Sequence, residues 1–247
     1  SEMCIRDRLN NHHSLNLNYL LSRIGNDRYD EADTDFEASN DILAKHVTGF
    51  SYNQSLLEEK MSNTFFVKNY INHLNIRQTD LSSITGSKDV KGTITKKYWG
   101  YGIGSRYTAI EPLSIKISYE HSVRLPLARE LLGNGTTIYA NVALKPESSD
   151  NINLGIFGTW HPAPGHTLYY EANGFLRYVD DYIQATVETK EGMMQYKNVP
   201  AVHIKGIEGE VRYDWQSKLQ LATNVSFQEA RDQNRYKTDG KPSATYN

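Results

Sequence analysis

The chain has 247 residues, 27 Lys and Arg against 29 Asp and Glu for a formal net charge of -2, and a mean hydropathy of -0.61. This balance gives no basic footprint for nucleic acid, and no run approaches the roughly 18 apolar residues that a membrane helix needs. A membrane β-barrel stays within these bounds, because only every second residue of its strands faces lipid.

Apolar or aromatic residues recur at every second position along most of the chain, the period of a half-buried strand. A first strand is expected over Ser14 to Arg23, with Leu15, Leu17 and Tyr19 on one face. An acidic, Gly/Asn/Asp-rich stretch follows and reads as a long solvated loop. The second strand covers about His46 to Leu56, and a polar break at Glu58 to Asn63 leads to a third from Phe65 to Ile76. There Phe66, Tyr70, Leu74 and Ile76 oppose Phe65, Val67 and Ile71. After a polar loop from Gln78 to Gly92, Trp99, Tyr101, Ile103 and Tyr107 share a face opposite Gly100, Gly102, Gly104 and Arg106. Beyond the turn AIEPL, Leu113, Ile115, Ile117 and Tyr119 oppose Lys116, Ser118 and Glu120. A sixth strand carries Ile152, Leu154, Ile156 and Trp160. A seventh sets Leu168, Tyr170, Leu176 and Tyr178 against Glu171, Asn173 and Arg177. In the eighth, Ile207, Val211 and Tyr213 oppose Glu208, Glu210 and Arg212, and Leu219, Leu221, Val225 and Phe227 line the ninth.

The connections alternate in length. Ile24 to Lys45, Gln78 to Gly92 and Pro126 to Asp150 are long; Glu58 to Asn63, Ala109 to Glu111, Pro162 to Gly165 and Asp214 to Ser217 are short, with a medium one at Glu188 to Lys197. Outer-membrane barrels sort their loops in this way, with short periplasmic turns and long outer loops. Charges on the second face of each hairpin fit a wide barrel whose lumen is polar. A soluble antiparallel sheet with one wetted face is the competing fold. Seventeen tyrosines against seven phenylalanines suit an interface where ring and hydroxyl sit in different media.

One stretch carries a more specific signal. Tyr119-Glu120 runs into Arg124 to Pro126 and Glu130-Leu131, and a loop then gives Asn141, Leu144, Pro146, Glu147 and Ser148 before Gly155. Further on come Asn198-Val199 and Gly206-Ile207-Glu208, and upstream Phe66-Val67-Lys68-x-Tyr70. In order and spacing these residues resemble the C-terminal barrel of TonB-dependent outer-membrane receptors. Asn153 stands where that family often has Glu. The likeness spans Leu15 to Ala230 and implies an all-β, antiparallel transmembrane barrel in the outer membrane of a Gram-negative bacterium. Family barrels close about 22 strands around an N-terminal plug, so the nine read here form a partial barrel. It also implies TonB-energised uptake of a scarce bulky ligand, such as a siderophore, a vitamin or an oligosaccharide. The implied partners are membrane lipid, the receptor's own plug, the TonB system and a ligand at the outer loops; no enzyme activity, cofactor or nucleic acid is implied. The runner-up is a secreted or surface glycan-binding sheet module without transport. The only cysteine, Cys4, excludes an internal disulfide. It falls in SEMCIRDR, which reads as an assembly scar over residues 1–8, leaving 9–247 as the barrel part.

Candidate lumen- or plug-facing residues are Lys116, Glu120, Arg124, Glu171, Asn173, Arg177, Glu208, Glu210 and Arg212. Cross-strand charge pairing is their simplest role, and Arg124, where its strand leaves the membrane, is the strongest candidate for more. His161 with His166, and His12-His13, lack the third ligand of a zinc site. Asp180-Asp181 with Glu188 and Glu191 read as a solvated acidic loop rather than a calcium site. Tyr98, Trp99 and Tyr101 suit an interfacial girdle better than a sugar platform.

Overall fold

A computed structural model describes residues 2–10, 12–28, 39–80, 88–134, 137–187, 194–216 and 218–232. Ten strands form one antiparallel meander in which each pairs with its chain neighbour: β1 (Glu2–Asn10), β2 (His13–Arg28), β3 (Ser39–Leu56), β4 (Met61–Asp80), β5 (Lys88–Ile110), β6 (Leu113–Arg124), β8 (Glu147–Ala163), β9 (His166–Val187), β10 (Met194–Trp215) and β11 (Leu219–Asp232). Between β6 and β8 lie a five-residue helix α1 (Ala128–Leu132) and the two-residue strand β7 (Ile138–Tyr139), which pairs parallel with β10. All nine expected strands are present, and β1 falls on the segment read as a scar.

Seven of the ten strands exceed 14 residues, from 16 in β2 to 23 in β5, while β1, β6 and β11 have 9, 12 and 14. Backbone pairing continues past the apolar segments into stretches whose polar side chains suggested loops. β4 extends to Asp80 and β5 begins at Lys88, inside the expected loop Gln78 to Gly92. Lys45, expected at the end of a loop, stands within β3. The tight turns sit where expected, with Gly165 at φ 77° between β8 and β9. Glu188 and Glu191 lie outside the described residues.

The sheet has two unlike faces. One presents a belt of exposed apolar side chains, among them Trp99, Ile117, Leu154, Ile207, Val225 and Phe227. On β11 this belt runs from Leu219 to Phe227, nine residues, the length of a tilted bilayer crossing. No described helix is long and apolar enough to cross a membrane. The other face carries the polar alternates and, at the long-loop end, the buried apolar core. That core joins Leu43 of β3, Leu74 of β4 and Ile183 of β9 to Leu131, Leu132 and Leu144 of the β6–β8 connection. β3 and β9 stand five places apart in the sheet, about 24 Å if it were flat. A helix about 10 Å wide reaches both only if the sheet curls around it. The polar face is therefore the inner one.

Glycines on the inner face make room for rings lying along the wall. A Cβ on Gly102 would meet Phe66 Cζ at 2.5 Å and the Tyr119 carbonyl oxygen at 2.7 Å; on Gly206 it would meet Phe175 Cζ at 2.5 Å. Gly104, two residues along, has only Ser118 Cβ at 3.9 Å. In the receptor that contains this chain, Gly102→Ala is expected to cost about 1–3 kcal/mol through overpacking. Gly104→Ala should be neutral or stabilise by roughly 0.5 kcal/mol. Unfolding midpoints in denaturant measure both, and equal midpoints would contradict the packing account.

Candidate functional site

Strand register puts every sequence-predicted inner residue on the face that carries α1. Lys116 pairs with Gly155, Gly155 with Asn173 and Asn173 with Glu208, giving one row across β6, β8, β9 and β10. Arg177 and Glu210 follow at two-residue steps, and Glu171 faces Glu210 directly. Two like charges in register would repel. The wall offsets this by giving each carboxylate a cation. Lys116 Nζ stands 2.5 Å from Glu171 Oε1, and Arg212 Nε 2.6 Å from Glu210 Oε1. Asn173 donates to Glu171 at 2.8 Å, the Tyr169 hydroxyl donates to the same carboxylate, and the Arg212 guanidinium lies 4.5 Å from the Tyr169 ring. Nearer the long-loop end, Glu120 meets Lys68 at 3.1 Å. Gly155 lies beneath Asn173 and Lys116, and a Cβ there would meet Asn173 Oδ1 and, at 2.6 Å, Lys116 Cε, so that both side chains would have to shift. Asn153, the family departure, donates to Ser118 at 3.1 Å.

The motif residues converge on a second, denser network at the long-loop end. Arg124 closes β6 and forks onto Glu147, the first residue of β8, with Nε to Oε2 and Nη2 to Oε1 both at 2.8 Å. Its Nη1 reaches both oxygens of Glu130 at 3.2 Å. Glu130 is 5% exposed and sits at the third position of α1. There its Oε2 accepts the Leu127 N–H at 2.7 Å, half of a capping box. Glu147 also accepts the Ile183 N–H of β9 at 2.7 Å. The Lys45 ammonium donates to the Pro126 carbonyl.

Lys45 and Arg124 both lie at the long-loop end against the β6–β8 connection, Arg124 as the last residue of β6. Burial lowers the Lys45 pKa, opposed by the Glu130 carboxylate and assisted by Arg124. The Glu147 hydrogen bond raises that of Arg124.

The rest of the connection is tied to β9 and β10. Asn141 donates to the Tyr196 carbonyl at 2.8 Å, and its own N–H reaches the Leu131 carbonyl at 2.9 Å. Asn198 accepts from the Lys145 N–H and donates to its carbonyl, both at 3.0 Å, and donates to the Asp181 carbonyl at 2.7 Å. Asp181 holds φ 53° at this junction, and its carboxylate is 3.6 Å from Lys145. Pro126 and Leu144 are buried. The motif thus does more than shape one hairpin: it fastens the connection across the interior to β3, β4, β9 and β10.

Lys45, Lys68, Tyr169 and the buried Leu43 and Ile183 are the residues sequence reasoning passed over, while Leu74 was read only as part of one face of its strand. Only Lys68 carried a signal, as part of the quoted Phe66-to-Tyr70 phrase. The two histidine features have other partners. His166 Nδ1 is 2.6 Å from the Tyr213 hydroxyl, with its ring stacked on Trp215, and His13 Nδ1 is 2.6 Å from the Tyr52 hydroxyl. Trp99 and Tyr101 lie exposed on the apolar face.

Residues 28–246 match a family model described as TonB dependent receptor-like, beta-barrel. Among curated proteins, no sequence matches this chain. Similar solved structures include the copper transporter OprC, at TM-score 0.74 and 14% identity over 94% of this chain and 38% of that one. The FrpB iron transporter from Neisseria meningitidis (F3-3 variant) gives 0.68 and 14% over 98% and 36%. The Serratia marcescens hemophore receptor HasR, in complex with HasA and heme, gives 0.62 and 16% over 92% and 40%. The chain therefore spans 36% to 40% of the length of these three structures.

Proposed function

This chain belongs to the TonB-dependent receptor β-barrel family, and from that premise we propose that it forms part of the wall of a Gram-negative outer-membrane receptor. The parent receptor takes up a scarce bulky ligand, a siderophore, vitamin or oligosaccharide, with energy delivered through TonB. The observation that carries this reading is the two-faced curled sheet: an apolar belt outside, and inside a polar wall on which a connection is fastened. Membrane lipid covers the belt, and the receptor's own plug domain faces the charged rows at Lys116, Glu171, Asn173, Arg177, Glu208, Glu210 and Arg212. Ligand enters from the long-loop end. The copper, heme and iron named for the three similar structures support the metal-chelate end of that cargo range. Residues 9–247 are the barrel part in this reading, and sequencing the parent gene across residue 8 tests whether the first eight are foreign.

Membrane extraction tests the central claim. The full-length parent is expected in the outer-membrane fraction and soluble only with detergent. A parent that stays in solution without detergent would sink the transporter reading and favour the glycan-binding module.

A further inference from the structure

The connection between β6 and β8 is not held evenly along its length. Buried side chains seat both of its ends, Leu131 and Leu132 on one side and Leu144 on the other. Between them, none of the described residues, Gly133, Asn134 and Thr137 to Ala143, is buried. The grip of the core therefore stops at Gly133 and resumes at Leu144.

Hydrogen bonds to a single strand hold the middle. Met194 and Gln195 of β10 pair with Ile138 and Tyr139 of β7 and also with Val187 and Thr186 of β9. A strand has two edges, so β7 occupies the edge of β10 that β11 holds lower down, from Trp215 to Val202. The connection thus crosses the inner side of β9 and β10 and clips onto the far edge. In that clip the Met194 N–H donates to the Thr137 carbonyl at 2.9 Å and the Gln195 side-chain amide to the Ala140 carbonyl at 3.1 Å. The Asn141 side-chain amide adds its bond to the Tyr196 carbonyl. Parallel pairing is the less stable kind per residue, and here it is two residues long.

The backbone can turn at each end of this middle segment. Gly133 holds φ 67° and ψ -164°, a conformation open to glycine and strained for other residues. At the other end the Leu144 N–H meets the Asn141 carbonyl at 3.3 Å, closing a turn.

We propose that Thr137 to Ala143 form a flap that opens from β10 by itself, turning on Gly133 and on the Asn141–Leu144 turn, while α1 and Leu144 stay seated. Segments without buried side chains, held by a few hydrogen bonds near solvent, are the ones that open before the rest of a fold. Closed, the flap gives β10 a second main-chain neighbour above β11. Open, it frees the Met194 N–H and the Tyr196 carbonyl and clears the inner side of β10 at the long-loop end. That end is where ligand enters in the transport reading, so the flap sets the width of the entrance without unseating the brace. Its place at an entrance rests on that reading; its opening does not.

Hydrogen exchange of the full-length receptor in detergent micelles tests the flap, with single amides resolved by mass spectrometry. The Met194 amide, bonded to the flap, is expected to be at least tenfold less protected than the Leu131 amide of α1 and the Ile183 amide held by Glu147. N141A removes one part of the clip and should lower Met194 protection by about another tenfold, leaving Leu131 and Ile183 within about twofold of wild type. Fraying of β9 from β10 would not respond to the Asn141 side chain. Q195A removes a different part of the clip and stands in if N141A fails to assemble. Equal protection of Met194 and Leu131 in the wild type, or a variant that exposes all three amides alike, overturns the proposal. A parent recovered without detergent would instead overturn the transport reading, and the same exchange measurement would then judge the flap in solution.

Discussion

Replacing Arg124 with Ala is expected to unfasten the β6–β8 connection and destabilise the full-length receptor by about 3 kcal/mol. The guanidinium is the shared partner of Glu130 and Glu147, whose side chains are only 6% and 12% exposed. Removing it leaves two carboxylates facing each other with little water to solvate them, the costly way to break an ion pair. The figure sits at the low end of that range because Arg124 itself is 41% exposed. Lys at position 124 should recover less than half of the loss, since a single ammonium cannot fork onto Glu147 while also reaching Glu130. Unfolding midpoints and surface levels of the receptor measure the effect, and values unchanged from wild type in the alanine variant would remove Arg124 from its place in the network.

Leu132→Ala should cost a similar amount, about 3 kcal/mol, by a different route. The side chain is 2% exposed and packs with Leu43, Leu74, Leu144 and Ile183. Truncation leaves a cavity that the surrounding strands cannot close, because their backbones are fixed by cross-strand pairing. Leu127, five residues earlier and 44% exposed, is the control: Leu127→Ala should change stability by less than about 0.5 kcal/mol. The two variants also separate packing from mere proximity. If α1 is a seated brace, only Leu132→Ala should make the connection between residues 125 and 146 open to added protease. Cleavage that is equal in both variants would mean that the core does not hold the helix.

Much of this arrangement is written locally. In β5, the alternation of Trp99, Tyr101 and Ile103 with Gly100, Gly102 and Gly104 tells the two faces apart, because a strand sends successive side chains to opposite sides. Phe66, Tyr70 and Leu74 fall opposite Phe65, Val67 and Ile71 as the sequence indicates, although that alternation is weak. The motif stretch from Tyr119 to Gly155 marks the family through the order and spacing of short elements. It also singles out Arg124, Glu130, Asn141 and Glu147, as the later block does Asn198, without showing that they meet. Lys45 gives no local signal at all. It lies at the end of an acidic polar stretch, and its partner is a carbonyl 81 residues away.

The sequence by itself therefore determined the strand pattern, the apolar outer face, the charged inner face and the family. Each of these depends on a period of two or on a short run of residue types, both readable within a few residues. Only the tertiary structure decided that the connection after Arg124 turns inward, that Glu130 and Glu147 share one guanidinium, and that Gly102 must be glycine while Gly104 need not be. Those facts depend on register between strands and on curvature that brings β3 and β9 around one short helix. Contacts of that kind arise from the closing of the sheet as a whole, and no local pattern of side chains specifies them.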